Sequence, residues 1–554
     1  MGPARPVGRI WCAKTRCFLN ANRWVICEGV NEPAATLKEL LRRQTVRHAG
    51  NLFILCDNRQ MTFAEFGASV LRVANGLLRH GILPGEKIAF LLPNCPDFLS
   101  LVFATAEIGA VFVPINTAFT PEEAQYVIDH SESKLLVTTR PFLPMVEQIR
   151  GACPYLKDVI AIKKDQQADV LEWDQFLHGT GDFSAQQVAR QDEIVSITYT
   201  SGTTDKPKGV MLTQYAYAFA PQKRAEALGW KDTDRAFVMM PLFHVNALCH
   251  MAIAMFSVGG SILLTDKFSA SRFWDEVREY GVTTSSLMRT IPQILLNLPD
   301  KADDGKNPLR LAVALLSPEQ HVRFEERFRT TLVGSYSLTE DMLSVIGPLD
   351  KRRRKLGSCG LPIAPSVHRL RIIDDDAEDC SAGQVGEIVK QSPAVMKGYY
   401  KDPEATEATL KDGWLYTGDL GYVDIDGFLY FVDRKKDIVK RGDENVSSEE
   451  VEQVLNGHPL IAESAVVGVP DPIRQEEVKA VIVLKPPATS DTVPPEEIWS
   501  HCQKRLAAFK IPRYLEYRGE LPKTPSSKIQ KHLLRKESAR SANQVFDRLK
   551  HERK

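Results

Sequence analysis

Apolar and polar positions along this chain follow two alternating periods, and the switches between them outline its elements. Thr62 and Glu65 stand in capping-box form, and Phe66, Val70, Val73 and Leu77 then recur at helical spacing until Gly81. A strand is expected at 87–92, an apolar helix near 99–108, and strands at 111–115, 134–138, 262–265 and 309–316. Strands separated by helices predict parallel, doubly wound sheets, hence an α/β fold. Between 357 and 430 the texture changes to short strands with frequent Gly, Pro and Asp, as in GQVGEIVK and DGFLYFVD, which predicts a β-rich subdomain. The charged run DRKKD at 433–437 marks a boundary. Beyond it, residues 447–450 cap a helix through Leu455, strands are expected at 465–469 and 480–484, and a helix at 494–506. That piece is a small α+β domain, and the chain from Lys531 onward is basic and poorly patterned. The expected division is an extension without fixed structure at 1–35, a large N-terminal domain at 36–435, a small C-terminal domain at 436–540 and a basic tail at 541–554.

Composition narrows the function classes. The 554 residues are 44% apolar and 25% charged, as in ordinary globular proteins with more than one core. Lys+Arg and Asp+Glu both total 70, so no global field attracts nucleic acid or an anionic membrane. The 10 cysteines run from Cys12 to Cys502 without a CxxC pair, which suggests neither a disulfide framework nor a zinc site and fits a reducing compartment. The most apolar region, 239–264, is interrupted by Pro241, His244, Asn246, His250 and Gly259–Gly260, so it reads as core, not as a membrane span. Arg5, Arg9, Lys14, Arg16 and Arg23 precede the first acid, Glu28, with the charge bias of a mitochondrial presequence. The stretch is poor in Ser and lacks an amphipathic period, so a cytoplasmic protein with a loose extension is expected, and a mitochondrial matrix location is the alternative. Pro6 excludes a myristoylation signal.

Candidate chemistry begins at 199–212, YTSGTTDKPKGVML. A β-branched strand, 194–198, runs into Ser201–Gly202, where backbone N–H groups can turn inward as an anion nest. Thr200, Ser201, Thr203 and Thr204 add hydroxyl donors, and Lys206 and Lys208 add positive charge, the two kinds of partner that phosphate oxygens take. The stretch is not a Walker A loop, because GxxxxGK[ST] is absent. By itself such a loop is more often an ordinary exposed turn.

Three further clusters change that balance. GSYSLTE at 334–340 follows an apolar strand, so Tyr336, Thr339 and Glu340 stand at a strand end, where ligands collect in α/β folds; a core tyrosine beside a solvated glutamate is the plainer alternative. WLYTGD at 414–419 puts Asp419 on a tight turn suited to ribose hydroxyls, and Arg434 offers a planar fork to a ribose oxygen or phosphate, though TGD is ordinarily just a turn. LPKTPSSKIQK at 521–531 sets Lys528 in a loop, where a lysine is ordinarily solvated surface. KRRRK at 351–355 lies in a loop between clusters and reads as solvated charge.

In order and spacing the four clusters resemble the adenylate-forming superfamily of acyl-CoA synthetases, peptide-synthetase adenylation domains and luciferases, over roughly 36–536. YTSGTTDKPKGVMLT, MKGYYKDPEAT at 396–406 and WLYTGDLGYVDIDGFLYFVDRKKDIVKRG at 414–442 carry the resemblance most specifically. YFVDRKKDIVKRGDENVS, FSASRFWDEV and PRYLEYRGELP are most similar to the carnitine and crotonobetaine CoA ligases.

The resemblance implies an ATP-dependent acid–thiol ligase: ATP and a carboxylic acid give an acyl-adenylate and pyrophosphate, and coenzyme A then takes the acyl group. It implies that Thr200, Ser201, Gly202, Thr203, Thr204, Lys206 and Lys208 hold the β- and γ-phosphates, that Tyr336 lies against adenine, and that Thr339 lies near the α-phosphate. Glu340 would hold Mg²⁺, Asp419 the ribose hydroxyls, Arg434 the ribose or a phosphate, and Lys528 the substrate carboxylate and α-phosphate. His244, in the acyl-pocket segment 243–251, would approach the substrate carboxylate; a packed core histidine is the alternative. A small mobile C-terminal lid would pivot at Lys436 and bring Lys440, Gly442 and Asp443 to the thiol tunnel. Attack of a carboxylate on a phosphate brings two anions together, so Mg²⁺ and a positioned lysine suit the barrier.

The chain also departs from the family pattern. Ser337, Asp443, Gln475 and Ser527 stand where glycine is usual, and the adenine strand reads ALLSP at 314–318. Asp443 lies where a carboxylate would crowd the pantetheine tunnel, which keeps open an amine or a carrier-protein thiol as acceptor. The accumulated replacements keep open a catalytically silent nucleotide-binding scaffold.

Overall fold

The computed structural model describes residues 17–20, 23–26, 33–57, 59–162, 171–178, 189–200, 207–288, 291–441, 444–471, 474–523, 529–538 and 545–551. Contacts divide the chain into two compact units, Met1–Arg369 with Lys390–Leu415, and Leu370–Val389 with Tyr416–Lys554.

The first unit is built on two seven-stranded sheets of the doubly wound kind that the sequence predicts. One runs Lys208–Thr213, Ile194–Thr200, Val111–Pro114, Lys87–Leu91, Ser133–Thr139, Asp158–Ile162 and Leu171–Glu172. Its pairs are parallel except the first, which is antiparallel. The other runs Thr331–Val333, Leu311–Val313, Thr284–Ser286, Arg235–Val238, Ser261–Leu264, Leu52–Cys56 and Arg59–Thr62, antiparallel only at its last pair.

Local chemistry fixes where the covering helices begin. Thr62 Oγ1 accepts the Glu65 amide at 3.2 Å and Glu65 Oε2 accepts the Thr62 amide at 2.8 Å, which starts Phe63–Arg79; Thr120 and Glu123 repeat the device before Pro121–His130. The apolar face of Phe63–Arg79 closes on a core in which the Phe53, Phe63, Phe66, Phe103 and Phe256 rings pack edge-on and stacked at 4.9–5.7 Å. Emptying one such buried ring costs about 3–5 kcal/mol.

Several elements differ from the pattern expected of them. The strand expected at 309–316 is only Leu311–Val313, because Ser317 caps a helix that opens with Pro318. The apolar region 239–264 folds as a π-helical stretch, Asn246–Ile253, followed by Ala254–Ser257; among the described residues no helix is long and apolar enough to cross a membrane. KRRRK is not uniformly solvated, since Arg354 is buried against Glu325 and donates to the Leu332 carbonyl at 2.7 Å. Two short strands, Cys17–Asn20 and Arg23–Ile26, pair within the N-terminal stretch.

The second unit ends in a six-stranded sheet whose long hairpin, Ile461–Asp471 with Gln475–Leu484, is its spine. Ser447 caps the helix Ser448–Asn456, and Val451, Leu455, Val466, Ile482, Ile498 and Trp499 close one core. Lys531–Ser538, basic and without apparent pattern in the sequence, is a helix. Its first residue is anchored by an ion pair of Lys531 Nζ with Glu452 at 2.8 Å and a bond to Ser448 Oγ at 2.7 Å.

Candidate active site

The strands that flank 201–206 pair antiparallel, with Thr200 opposite Lys208. A Cβ on Gly209 would lie 2.8 Å from Ile197 Cγ2, so the close approach of the two strands needs glycine there. Ser201, Gly202, Thr203, Thr204 and Lys206 lie outside the described residues, as do Gly442, Asp443 and Lys528.

A strap at 396–400 runs beside this hairpin. Met211 N donates to Gly398 O at 3.0 Å, Lys397 N to Met211 O at 2.9 Å and Tyr400 N to Gly209 O at 2.7 Å. The same strap holds Glu340: Met396 N donates to its carbonyl at 2.8 Å and Tyr399 Oη to its Oε1 at 3.1 Å. Lys208 Nζ lies 5.1 Å from the centre of the Tyr399 ring. Burial pushes the Tyr399 phenol well above its ordinary range, so it stays a donor. Glu132 anchors the strap's far end by Tyr400 Oη at 2.9 Å and Lys401 Nζ at 3.0 Å, and these bonds hold its carboxyl down at about 2.

Tyr336 and Glu340 belong to one excursion beyond the second sheet. It leaves on Ser335–Tyr336 and returns on Val345–Ile346, which pair antiparallel. A Cβ on Gly334 would lie 2.1 Å from Ser358 O, which accounts for the glycine at its entrance. Within the excursion Asp341 forms a fully buried ion pair with Lys390 at 2.9 Å and accepts from Ser392 Oγ at 2.7 Å. Lys390 Nζ also donates to Leu343 O at 2.8 Å and lies 5.6 Å from the Tyr336 ring centre. A small cleft beside it is lined by Ala314, Leu316, His321, Gly334, Arg354 and Ser358. His244 is half-buried with its ring 4.6 Å from Phe243, whereas His250, which the sequence assigned no separate role, donates from Nε2 to Met342 O at 2.8 Å.

In the second unit Asp419 and Arg434 face each other across the hairpin of Trp414–Val423 and Leu429–Arg434, Nε to Oδ1 at 3.5 Å. Asp419 is only 3% exposed and follows Gly418, whose φ of +68° is taken inside the strand Trp414–Val423, so the tight turn expected at TGD is instead an irregular stretch of strand. Asp433 accepts from Ser448 Oγ at 2.7 Å, Ser447 Oγ at 3.3 Å and Glu449 N at 3.2 Å. Lys436 and Lys440 are both exposed, and partial desolvation with neighbouring Arg434 lowers the affinity of Lys436 for a proton.

Against known proteins, the model of the AMP-binding enzyme family matches residues 41–400, and that of the AMP-binding enzyme C-terminal domain matches 450–528. The chain belongs to the AMP-binding enzymes. Among curated relatives of this AMP-binding enzyme, the crotonobetaine/carnitine–CoA ligase of Salmonella paratyphi B is 37% identical over 504 residues, 87% of this chain and 95% of the relative. An anthranilate CoA ligase solved in complex with anthranoyl-AMP superposes with a TM-score of 0.83 at 28% identity, over 91% of this chain and 97% of that one. The O-succinylbenzoate coenzyme A synthetase of Bacillus subtilis, in complex with AMP, gives 0.78 at 28% identity over 92% and 99%.

For Mg²⁺ the donor set fits. Glu340 is a hard carboxylate whose Oε1 is tied to Tyr399, while its Oε2 carries no hydrogen bond among the described residues. A single carboxylate is what Glu340 would offer an ion held otherwise by phosphate oxygens and water, as Mg²⁺ commonly is. Tyr399 was missed as a site residue by sequence reasoning: it lies inside the quoted MKGYYKDPEAT motif, but nothing local signals that it meets Glu340, 59 positions away.

Proposed function

We propose that this enzyme activates a carboxylic acid as its acyl-adenylate, releasing pyrophosphate from ATP, and then passes the acyl group to coenzyme A, with the residues named above in the roles the family pattern implies. The observation that carries the reading is Tyr399, whose hydroxyl meets the Glu340 carboxylate while its ring lies under the Lys208 ammonium. A magnesium–triphosphate needs one anion and one cation held at fixed separation, and a single side chain braces both.

In this reading Lys208 and the 200–206 loop bind the β- and γ-phosphates, Tyr336 lies against the base, Thr339 bonds the α-phosphate, and Asp419 with Arg434 takes the ribose. Glu340, braced by Tyr399, would hold the Mg²⁺, which when bound neutralises phosphate charge. Lys528 supplies the compact positive charge between substrate carboxylate and α-phosphate, and His244 lines the acid's approach. Lys436 is the pivot that exchanges Lys528 for the segment of Lys440, Gly442 and Asp443 when the thiol enters. The proposed domains are 36–435 and 436–540, and a cytoplasmic location accords with the bacterial relatives.

Betaine-type acids are the first substrates to try, because the curated relatives include crotonobetaine/carnitine–CoA ligases. The segment 243–251 holds no carboxylate to meet a quaternary ammonium, so short, long and aromatic acids belong in the same panel. Pyrophosphate release that requires both ATP and an acid, followed by CoA-dependent thioester formation, is the expected result. Abundant adenylate without thioester at saturating CoA would overturn the second half and direct the search to amines and carrier proteins.

A further inference from the structure

Arg224, on the helix Gln214–Ala227, is 1% exposed. Its Nε donates to His250 O at 3.1 Å and its Nη1 to Ser344 Oγ at 3.0 Å and Ser335 Oγ at 3.3 Å. All three acceptors are neutral, and Arg224 forms no ion pair with a carboxylate among the described residues. A buried charge without a counter-ion costs several kcal/mol, and an apolar side chain of like volume is often the more stable choice at such a place. Burial alone pulls its pKa down to about 10, so the guanidinium is charged at neutral pH and opposed by its surroundings.

What the guanidinium joins is specific. Ser335 begins the outgoing leg of the excursion that carries Tyr336, Thr339 and Glu340, and Ser344 immediately precedes the returning leg, Val345–Ile346. One planar group therefore clasps the stem from both sides. His250, whose carbonyl accepts from Arg224, donates from its ring to Met342 O, a third point on the same excursion. The His250 Nδ1 that remains is buried with no hydrogen-bond partner, so the ring too is held at an energetic cost. We infer that Arg224, acting with His250, is a positioning residue that fixes the 337–344 excursion so that Glu340 meets the metal of a bound metal–nucleotide. The inference deepens the proposed function and rests on its reading of Glu340 as the Mg²⁺ ligand.

The test uses the full-length enzyme and ATP, without any acid, and measures the ATP dissociation constant by calorimetry with and without Mg²⁺ in wild type, S344A, R224K, R224M and E340Q, each with its melting temperature. The readout is the gain in ATP affinity that Mg²⁺ confers. S344A and R224K are expected to lose about 10-fold of that gain, as residues behind a metal ligand commonly do, beyond whatever metal-free ATP binding loses through Tyr336 and Thr339 on the same excursion. R224M loses at least as much, and S344A carries the test if R224M does not fold. Full retention of the gain in folded S344A and R224K, with its loss in E340Q, overturns the clasp and leaves the Glu340 reading standing. An equal fall in metal-free and metal-dependent binding reduces Arg224 to fold support and also overturns it. Retention of the gain in E340Q overturns the Glu340 reading, and the clasp falls with it.

Discussion

Tyr399 separates two contributions that most side chains would blur. Y399F keeps the ring under Lys208 and deletes only the hydroxyl on Glu340, so it is expected to lower kcat/KM for magnesium-ATP about 10-fold, the loss of one hydrogen bond to a charged group, with little change in melting temperature. Steady-state kinetics of acid-dependent pyrophosphate release check this. Y399A also removes a ring that is 9% exposed and is expected to destabilise the fold. Two imidazoles give a second prediction at this scale. Burial, with Lys390 nearby, depresses His368 to about 4, and burial with Arg224 and Lys390 depresses His250 to about 3. Asp341, and hydrogen bonds to backbone carbonyls, oppose these shifts only in part. Both stand below the ordinary histidine value, so as pH falls below about 6.5 the unfolded chain takes up protons that the folded chain refuses. Stability contributed by each is complete above that value and lost as pH drops toward the folded pKa, at up to about 1.4 kcal/mol per unit per histidine. Denaturant melts between pH 7 and 5 should show that slope, and H368Q should flatten it.

At the scale of elements, Gln475 links a reading of the sequence to a backbone angle. It stands where the family pattern has glycine and keeps a φ of +63°, at the start of Gln475–Leu484 and opposite Arg441. A side chain in that region costs about 1–2 kcal/mol, so Q475G is expected to raise unfolding stability by about 1 kcal/mol, after the greater freedom of glycine in the unfolded chain is subtracted. Urea denaturation measures it. Elements of this kind were legible where the signal was local: the Thr62–Glu65 box, the Ser447 cap and the alternation of parallel strands with helices all stand as the sequence implies. Legibility failed where the cause lay far along the chain. On Gln214–Ala227 the buried Arg224 stands in the polar run QKRAE, beside the partly exposed Gln222 and Lys223 and the exposed Glu226, so nothing local marks it as different from a surface arginine. The helix Lys531–Ser538 draws its order from Glu452 and Ser448, which no pattern within 531–538 can report. The clusters around Glu340, Asp419 and Arg434 were visible as motifs only through their joint order and spacing, because hydroxyls, glycines and charges are ordinary in any one turn; nothing local to the strap at 396–400 marked it as bracing Glu340.

For the molecule as a whole, the two compact units divide the proposed site residues: Lys208, Tyr336, Thr339 and Glu340 belong to the first, and Asp419, Arg434 and Lys436 to the second. Within the second unit Asp433 is the residue to watch. It lies before the proposed pivot Lys436, and its carboxylate caps the helix Ser448–Asn456, which lies after it. D433N is expected to destabilise that helix start by about 1 kcal/mol and to raise hydrogen exchange at the Glu449 and Glu450 amides, read by mass spectrometry, with the Ile461–Asp471 strand unaffected. The consequence reaches beyond stability. If the lid turns at Lys436, the hydroxyls of Ser447 and Ser448 and the Glu449 amide leave Asp433 together, so the pivot behaves as a detent that releases in one step instead of a free swivel. Half-turned states would then be sparsely populated, and the rate of passing from adenylate to thioester would follow the strength of a helix cap rather than the reactivity of the thiol.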